Sequence, residues 1–253
     1  MQKVYEALTT AFRRNSGVLS SKLYNQIVSK HTTYFENSDT IFLLLQASGY
    51  PIVESGDKYI LETYMKSYKE QKFCVIDIET NGSKPDTAQV IEIGAVMVQN
   101  SKIIDKFESF VLCSFIPEYV TKITGIKPQD LIDAPSRAEV LKELRIFMGD
   151  AIFVAHNANF DYGFLNYSFQ DFGLGTIGNP KLCSIDLAKR TIKSKKYGLA
   201  YLNKSLELGV DVHHRAYSDA LTTAKLLNVL FDNLPNYIKT TDELLRFAIS
   251  NRK

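Results

Sequence analysis

Two acidic side chains close an apolar run in the middle of the chain. Residues 73–76 are apolar and lead into Asp77, Ile78 and Glu79, and a run of this length predicts a buried strand. Because strand side chains alternate between faces, Asp77 and Glu79 should project from the same side. Neighbouring carboxylates repel unless a proton or a cation lies between them. Mg²⁺ prefers carboxylate ligands and phosphate partners, so the pair indicates metal-dependent phosphoryl transfer.

Two later fragments carry further acids and a histidine. A second apolar run, residues 151–155, leads into His156, and Asp161 is predicted to open the helix that follows. His214 precedes Asp219 by five positions, on a helix with small residues at three- and four-residue spacing from that acid. Small residues let a helix approach a sheet, so its carboxylate can reach a metal. Alone, an Asp-x-Glu pair or a first-turn Asp is usually structural. Three such fragments in order favour one site.

At this point the chain resembles a known family, the DEDDh-type 3′→5′ exonucleases, which have the ribonuclease H-like fold and include the proofreading epsilon subunit of bacterial DNA polymerase III. The resemblance runs from about Lys72 to Phe231 and includes the signatures at residues 90–96 and 124–126. It implies two bound Mg²⁺ or Mn²⁺ ions. The implied metal-site acids are Asp77, Glu79, Asp161 and Asp219.

The general base of such enzymes is a histidine or a tyrosine. The spacing to Asp219 selects His214 over His213, and the position where the tyrosine class carries its base is Arg215. The resemblance therefore implies that His214 is the base. Implied substrate-binding residues are Thr80, Thr124, Gly125 and Asn157. One departure is Thr124, where the epsilon subunit carries histidine.

The resemblance implies an enzyme that releases nucleoside 5′-monophosphates from DNA 3′ ends, with a single-stranded 3′ end as substrate. A DNA polymerase catalytic subunit is the expected partner. Two alternatives remain: an exoribonuclease that trims RNA with the same motifs, and a non-catalytic nucleic-acid-binding scaffold built on an inactive nuclease. The complete set of acids and histidine argues against the scaffold.

The composition of the chain bears on how it could bind nucleic acid and where in the cell it is expected. The 253 residues carry 30 basic and 28 acidic side chains, a net charge of +2, so no global field attracts nucleic acid. Basic residues are instead concentrated locally, in an acid-free stretch around 189–196 that is either a solvated face or a phosphate contact. The three cysteines form no metal or disulfide pattern. Without an apolar signal segment or a membrane-length apolar run, a cytoplasmic protein is expected.

The first 65 residues have a separate pattern. Helices are predicted near residues 4–12, 20–28 and 38–47, the last ending at Gly49, followed by a hairpin that turns at residues 55–57. Three helices and a hairpin predict a small winged-helix-like module. Such modules often bind DNA. Residues 1–70, however, carry eight basic and seven acidic side chains, a net charge too small to favour DNA binding over protein docking or structural support.

The remaining chain reads as α/β. Strands are predicted at residues 72–78, 89–98, 102–112, 151–155 and 181–185, and capping boxes at Ser136/Glu139 and Thr240/Glu243 open two helices. A tight Asn100-Ser101 turn makes its flanking strands antiparallel, whereas helical connections make the later strands parallel. The predicted fold is a ribonuclease H-like mixed sheet flanked by helices, with a small α+β domain before it. The expected division is 1–65 for the module, 66–71 for a linker, 72–235 for the exonuclease domain and 236–253 for a C-terminal helix.

Overall fold

Two sheets organise the computed structural model, which describes residues 1–32, 37–210 and 214–249. The smaller sheet has three strands in the order β1-β3-β2, all antiparallel. This sheet belongs to the N-terminal module, which also has three main helices and one short helix. In chain order the elements of the module are α1 Gln2–Arg14, β1 Val18–Ser20, α2 Ser21–His31, α3 Ser38–Ala47, β2 Ile52–Ser55, β3 Lys58–Leu61 and α4 Glu62–Met65. The predicted helices and hairpin are confirmed, while the assignment as a winged-helix-like module stays a prediction.

Local sequence explains these boundaries. The Ser20 hydroxyl accepts a hydrogen bond from the Leu23 N–H and caps α2. Helix α3 is followed by Gly49 with φ of 86°, a left-handed conformation that glycine adopts without a steric penalty. The apolar faces of α1, α2 and α3 enclose a core of their own around Leu8, Phe12 and Tyr24.

The larger sheet has five strands in the order β6-β5-β4-β7-β8. These strands are β4 Phe73–Thr80, β5 Val90–Gln99, β6 Lys102–Phe110, β7 Ile152–Ala155 and β8 Lys181–Cys183. Strands β4, β5 and β6 are antiparallel, and β7 and β8 run parallel to β4, as the sequence predicts. The predicted end of the first strand at Ile78 is wrong, because β4 continues to Thr80 and so includes both Asp77 and Glu79.

Helices cover both faces of this sheet. They are α5 Glu118–Thr124, α6 Arg137–Met148, α7 Ala158–Asp171, α8 Ser184–Thr191, α9 Leu199–Ser205, α10 Ala216–Asp232 and α11 Thr241–Ile249, with a 3₁₀ turn at Pro128–Leu131. On one face, Val75 and Val96 pack with side chains of α8 to α11. On the other, Ile76 and Ile93 pack with side chains of α6 and α7. Burial on both faces explains why β4 and β5 are nearly continuous apolar runs.

The predicted linker and C-terminal helix both pack on the body of the protein. In the segment 66–71, Ser67 forms a bridge with Thr240, and Tyr68 is buried against Phe231. The Thr240/Glu243 capping box is present at the start of α11, whose Leu244 and Ala248 join the sheet core. Within the described ranges, no helix is both long and apolar enough to cross a membrane.

Candidate active site

The register of β4 and β5 sets the floor of the site. Asp77 lies opposite Gly94 and Glu79 lies opposite Glu92. Directly paired residues share a sheet face, so three carboxylates and the bare Gly94 backbone point to the same side. This is the face that packs against α10. The alternation predicted from the sequence for Asp77 and Glu79 thus holds in the strand.

Helix α10 approaches this floor at Gly94. A Cβ at Gly94 would overlap backbone atoms of Ala216 and Tyr217, the first two residues of α10. The absent side chain at Gly94 therefore lets the first turn of α10 lie directly on β5. Asp219, in that turn, is only 9% exposed and is carried towards the acids of β4.

His214 and Asp219 meet Glu79 above the sheet. Ligand atoms of Glu79, His214 and Asp219 all lie within 4.8 Å of one another. The His214 backbone has φ of 59°, and its N–H donates a hydrogen bond of 3.0 Å to the Asp219 carboxylate. That bond ties the histidine to the acid five residues later. His213, the competing imidazole, lies outside the described residues.

Asp161 enters the site from the other layer of helices. The prediction that Asp161 opens its helix is wrong, because α7 begins at Ala158 and Asn157 takes the N-cap position with φ of 83°. Asp161 is 4% exposed, and burial raises its pKa to about 7 although hydrogen bonds with its own backbone and that of Ile78 oppose the rise. Its position one turn into α7 points it back to the strand that carries Asp77.

The acids strongly disfavour simultaneous ionisation. Burial raises the pKa of Asp77 well above its usual value, and the carboxylates of Asp161 and Asp219 raise it further. Burial, and then the charge of Glu92, raises the pKa of Glu79 to about 7, with Arg215 acting in the opposite direction. Such a cluster is stable at neutral pH when protons or cations neutralise it. The oxygen-rich set of Asp77, Glu79, Asp161 and Asp219 therefore fits hard divalent cations.

Sequence reasoning missed two residues here, Glu92 and Arg215. Glu92 is 1% exposed in the middle of β5, and its carboxylate accepts hydrogen bonds from the Arg215 guanidinium and from the Ala216 N–H. The signal was present, because a charged residue within an apolar strand buried on both faces requires a partner. The partner lies 123 positions away and has no local sequence signature.

The four predicted substrate-binding residues have different surroundings. The Thr80 hydroxyl donates to the Gly82 carbonyl and shapes the turn after β4. The Thr124 hydroxyl is buried, donating to the Val120 carbonyl and accepting from the Ile126 N–H. Gly125 and Asn157 are exposed and have positive φ values of 76° and 83°. Thr124 is therefore engaged in ending α5, while Gly125 and Asn157 present backbone to solvent.

His156, the other histidine of the sequence fragments, is structural. Its Nε2 donates to the Tyr197 carbonyl, and its Nδ1 is 2.8 Å from the Ser184 hydroxyl. Burial lowers the pKa of His156 to about 4, so the ring is neutral at physiological pH. It joins the end of β7 to the basic loop between α8 and α9.

This mixed sheet flanked by helices, with acids of β4, α7 and α10 and a histidine gathered near the end of β4, has the ribonuclease H-like architecture. The model of the exonuclease family RNase_T matches residues 74–227. The PolC-type DNA polymerase III of Staphylococcus haemolyticus is 34% identical over 205 residues, 80% of this chain and 14% of that protein. The corresponding Staphylococcus aureus protein is 37% identical over 184 residues, 72% of this chain and 12% of that protein. The chain thus spans about one seventh of these relatives.

Two solved exonuclease structures have a similar fold. Exonuclease X, in complex with 5′ overhanging duplex DNA, is 26% identical with a TM-score of 0.55 and covers 70% of this chain and 99% of its own. E. coli exonuclease I, in complex with a dT13 oligonucleotide, shares the fold with a TM-score of 0.58 at 15% identity, over 65% of this chain and 42% of its own. The chain belongs to the exonuclease family, as a DEDDh-type exonuclease. This family depends on divalent metal.

Proposed function

We propose that this chain removes nucleoside 5′-monophosphates one at a time from the 3′ end of DNA, as the proofreading activity of a DNA polymerase. The observation that carries the proposal is the meeting of ligand atoms of Glu79, His214 and Asp219 within 4.8 Å, beside Asp77 and the buried Asp161. The similarity to PolC-type DNA polymerase III supports the link to replication.

The proposed chemistry is an in-line hydrolysis of the last phosphodiester. Asp77, Glu79, Asp161 and Asp219 would hold two Mg²⁺ or Mn²⁺ ions, which when bound make a water nucleophilic and stabilise the attacking and leaving oxygens. His214 would accept the proton of the attacking water, since a neutral imidazole is a suitable base near pH 7. The bond from phosphorus to the 3′ oxygen breaks, and that oxygen takes a proton from solvent water, leaving a 3′ hydroxyl on the shortened strand. The exposed His214 side chain can pass its proton to solvent.

The surroundings of the acids suit a single-stranded 3′ end. Phe160, next to Asp161, is 37% exposed, and Phe115 and Tyr119 are 67% and 58% exposed on the segment held to the β4 turn by the Asn81 amide. Exposed aromatic rings stack with bases regardless of sequence. The peptides from Glu79 to Gly82, with Gly125 and Asn157, would meet the terminal sugar and phosphate. The exposed lysines of the α8–α9 loop would follow the backbone beyond.

The N-terminal module is better suited to a protein partner than to DNA reading. Leu43 on α3 is 63% exposed, and the C-terminal end of α3 is held to the exonuclease domain by the Arg145 guanidinium, which donates to the Ser48 carbonyl. Eight basic and seven acidic side chains among residues 1–70 nearly balance, and such a balance gives little support to DNA reading. A DNA polymerase catalytic subunit is the proposed partner of the whole chain.

The direct test uses matched 5′-labelled DNA and RNA oligonucleotides with Mg²⁺ or Mn²⁺. The proposal predicts a ladder of products shortened from the 3′ end, faster on DNA, released as 5′-monophosphates and abolished by EDTA. Faster trimming of RNA would support the exoribonuclease alternative. Binding of the oligonucleotide without cleavage, in a sample whose fold is intact, would support the scaffold and refute the proposal.

A further inference from the structure

An ion pair between a buried carboxylate and a partly exposed guanidinium joins the sheet to the turn that carries His214. The Glu92 carboxylate on β5 accepts from Arg215 Nη2 at 2.7 Å and from Nε at 3.0 Å. Glu92 is 1% exposed, whereas the Arg215 side chain is 38% exposed. The guanidinium also lies 5.4 Å from the ring of Phe110, which pairs with Glu92 across β5 and β6. Arg215 is thus held from two sides.

The same carboxylate caps helix α10. Its second oxygen accepts from the Ala216 N–H at 3.0 Å, at the first residue of the helix, where Arg215 itself provides no side-chain cap. Helix starts favour an anionic partner for their free N–H groups. Glu92 supplies this cap from a strand 124 positions earlier, so β5 determines where the helix begins.

These contacts border the proposed metal ligands on both sides. Arg215 directly follows His214, whose N–H is bonded to Asp219. Glu92 lies opposite Glu79 in the paired strands, and its negative charge helps to raise the pKa of Glu79. A free Glu92 carboxylate would therefore be a fifth acid beside the site. The guanidinium neutralises it, and the guanidinium and the Ala216 N–H together occupy both of its oxygens.

We propose that the Glu92–Arg215 pair is the positioning device of this active site. It places His214 and Asp219 against Glu79, and it keeps Glu92 from acting as a competing metal ligand. The inference rests on the proposed exonuclease function, and Glu92 and Arg215 act through other residues without touching substrate. The consequence is that loss of the pair should impair the chemical step and metal binding more than nucleic-acid binding.

The variants are Arg215→Gln, Arg215→Lys and the double variant Glu92→Gln/Arg215→Gln, with Arg137→Gln as the control. Arg137 pairs with Asp171 on the surface, at 3.6 Å. Single-turnover rate, KM for a single-stranded oligonucleotide and half-saturating Mg²⁺ are measured for each. The rise in Tm on adding Mg²⁺ without nucleic acid reports metal binding independently of turnover.

For Arg215→Gln we expect the single-turnover rate to fall by about a hundredfold, the usual effect of a displacement near 1 Å at a catalytic group. KM should stay within about threefold of the wild-type value, because contacts that bind substrate and transition state equally are unaffected. In the double variant, which has no fifth carboxylate, half-saturating Mg²⁺ should rise and the Mg²⁺-induced Tm shift should shrink. Arg215→Lys should recover only part of the rate, since an ammonium cannot reproduce the fork of bonds. The double variant should fold better than Arg215→Gln, because no unpaired buried charge remains.

A wild-type rate and wild-type Mg²⁺ dependence in Arg215→Gln would overturn the proposal. So would a variant that loses Tm but keeps both, because the pair would then be only structural. Absence of hydrolysis by the wild type would instead refute the proposed function. In that case the Mg²⁺-induced Tm shifts of the wild type and of the double variant still test the positioning role, and equal shifts would refute it.

Discussion

At the scale of single residues, identical side chains have different roles because of their neighbours. Glu79 and Glu92 face each other on paired strands, yet only Glu92 is bonded to a guanidinium. Burial and nearby negative charge raise the pKa of Glu79 to about 7. A raised pKa means that the folded protein gains from a proton or a cation at that carboxyl. Glu79 is therefore suited to bind a cation, and Glu92 to fix a helix.

Replacing Asp77 tests the metal site. We expect Asp77→Asn to lower cleavage by about a thousandfold or more in Mg²⁺, because an amide is a poor ligand for hard cations and charge stabilisation is lost. The circular dichroism spectrum should be unchanged, as the side chain keeps its shape. Asp150→Asn, on the exposed turn before β7, is the matched control. Activity of Asp77→Asn within tenfold of wild type would remove Asp77 from the site.

The raised pKa of Asp161 predicts a pH dependence of stability without metal. Burial raises this pKa from 3.8 to about 7, so the wild type holds a proton in the fold that it releases when unfolded. Its stability is then favoured below about pH 4 and falls as the pH rises through 7. In EDTA, Asp161→Asn should therefore gain in Tm over wild type from pH 5 to pH 8, and Mg²⁺ should remove that advantage. An advantage that shrinks with rising pH would contradict the assignment.

Separate replacement of the adjacent His213 and His214 tests which of the two is the general base. His214→Ala should cost roughly a hundred- to ten-thousandfold in single-turnover rate, the usual range for a general base. The wild-type single-turnover rate should rise with pH, because a general base acts in its unprotonated form, and His214→Ala should flatten that rise. His213→Ala should do neither. A larger loss in His213→Ala would shift the assignment by one position, and no loss in either would assign proton transfer to another group.

At the scale of elements, the site depends on how closely a helix lies to a sheet. The first residues of α10 rest on the backbone of Gly94, which lies opposite Asp77 in the paired strands. Any side chain at this position would act as a spacer between the helix and the strand. The spacing of the acids is therefore set by a residue with no chemistry of its own.

Gly94→Ala tests this spacing. The added Cβ would meet backbone atoms, which cannot rotate away, so we expect a loss of about 1–3 kcal/mol in the free energy of unfolding. Activity should fall further than stability accounts for, because Asp219 and His214 move with α10. Gly163→Ala is the control, since nothing lies within 4 Å of its added Cβ and alanine favours the helix interior. Full activity in Gly94→Ala would show that α10 tolerates displacement.

At the scale of the whole molecule, the N-terminal module and the exonuclease domain have separate cores. Among the residues that the structure describes, the core of the module is formed by residues between Val4 and Tyr64, and the two faces of the large sheet use residues from Tyr68 onwards. Contacts between them include hydrogen bonds of Thr176 with Tyr5 and of Gly178 with Ser48, and the Asn179 side chain packs on Gly49. Such an arrangement favours independent folding of the larger part.

A truncated chain tests the division. A chain that begins at Lys66 keeps the Lys66 carbonyl, which accepts from the Thr241 N–H at the start of α11. We expect it to fold and to digest single-stranded DNA at a rate close to that of the full chain. Weaker binding to a polymerase subunit would then identify the role of the module. A folded but inactive truncated chain would mean that residues 1–65 complete the site and that the proposed domain division is wrong.

Much of this fold could be predicted from the sequence because its determinants are local. Alternation along β4 places Asp77 and Glu79 on one face. A capping box formed by Ser136 and Glu139, three positions apart, starts α6. The Asn100-Ser101 turn, with both φ values positive, joins β5 to β6. Each of these features depends on interactions within a few positions, and such interactions are present in the amino-acid pattern itself.

The tertiary structure alone decided how the site is assembled. The Glu92–Arg215 pair joins residues 123 positions apart, and the contact of Gly94 with α10 depends on the packing of a helix on a sheet. The neutral state of His156 comes from burial between Ser184 and Tyr197. Sequence periodicity identifies which side of an element is apolar, but the partner across that side is chosen by the free energy of packing the whole chain. The type of chemistry could therefore be predicted from the residue types and their spacing, whereas the relative positions of the reacting groups are determined only by the tertiary structure.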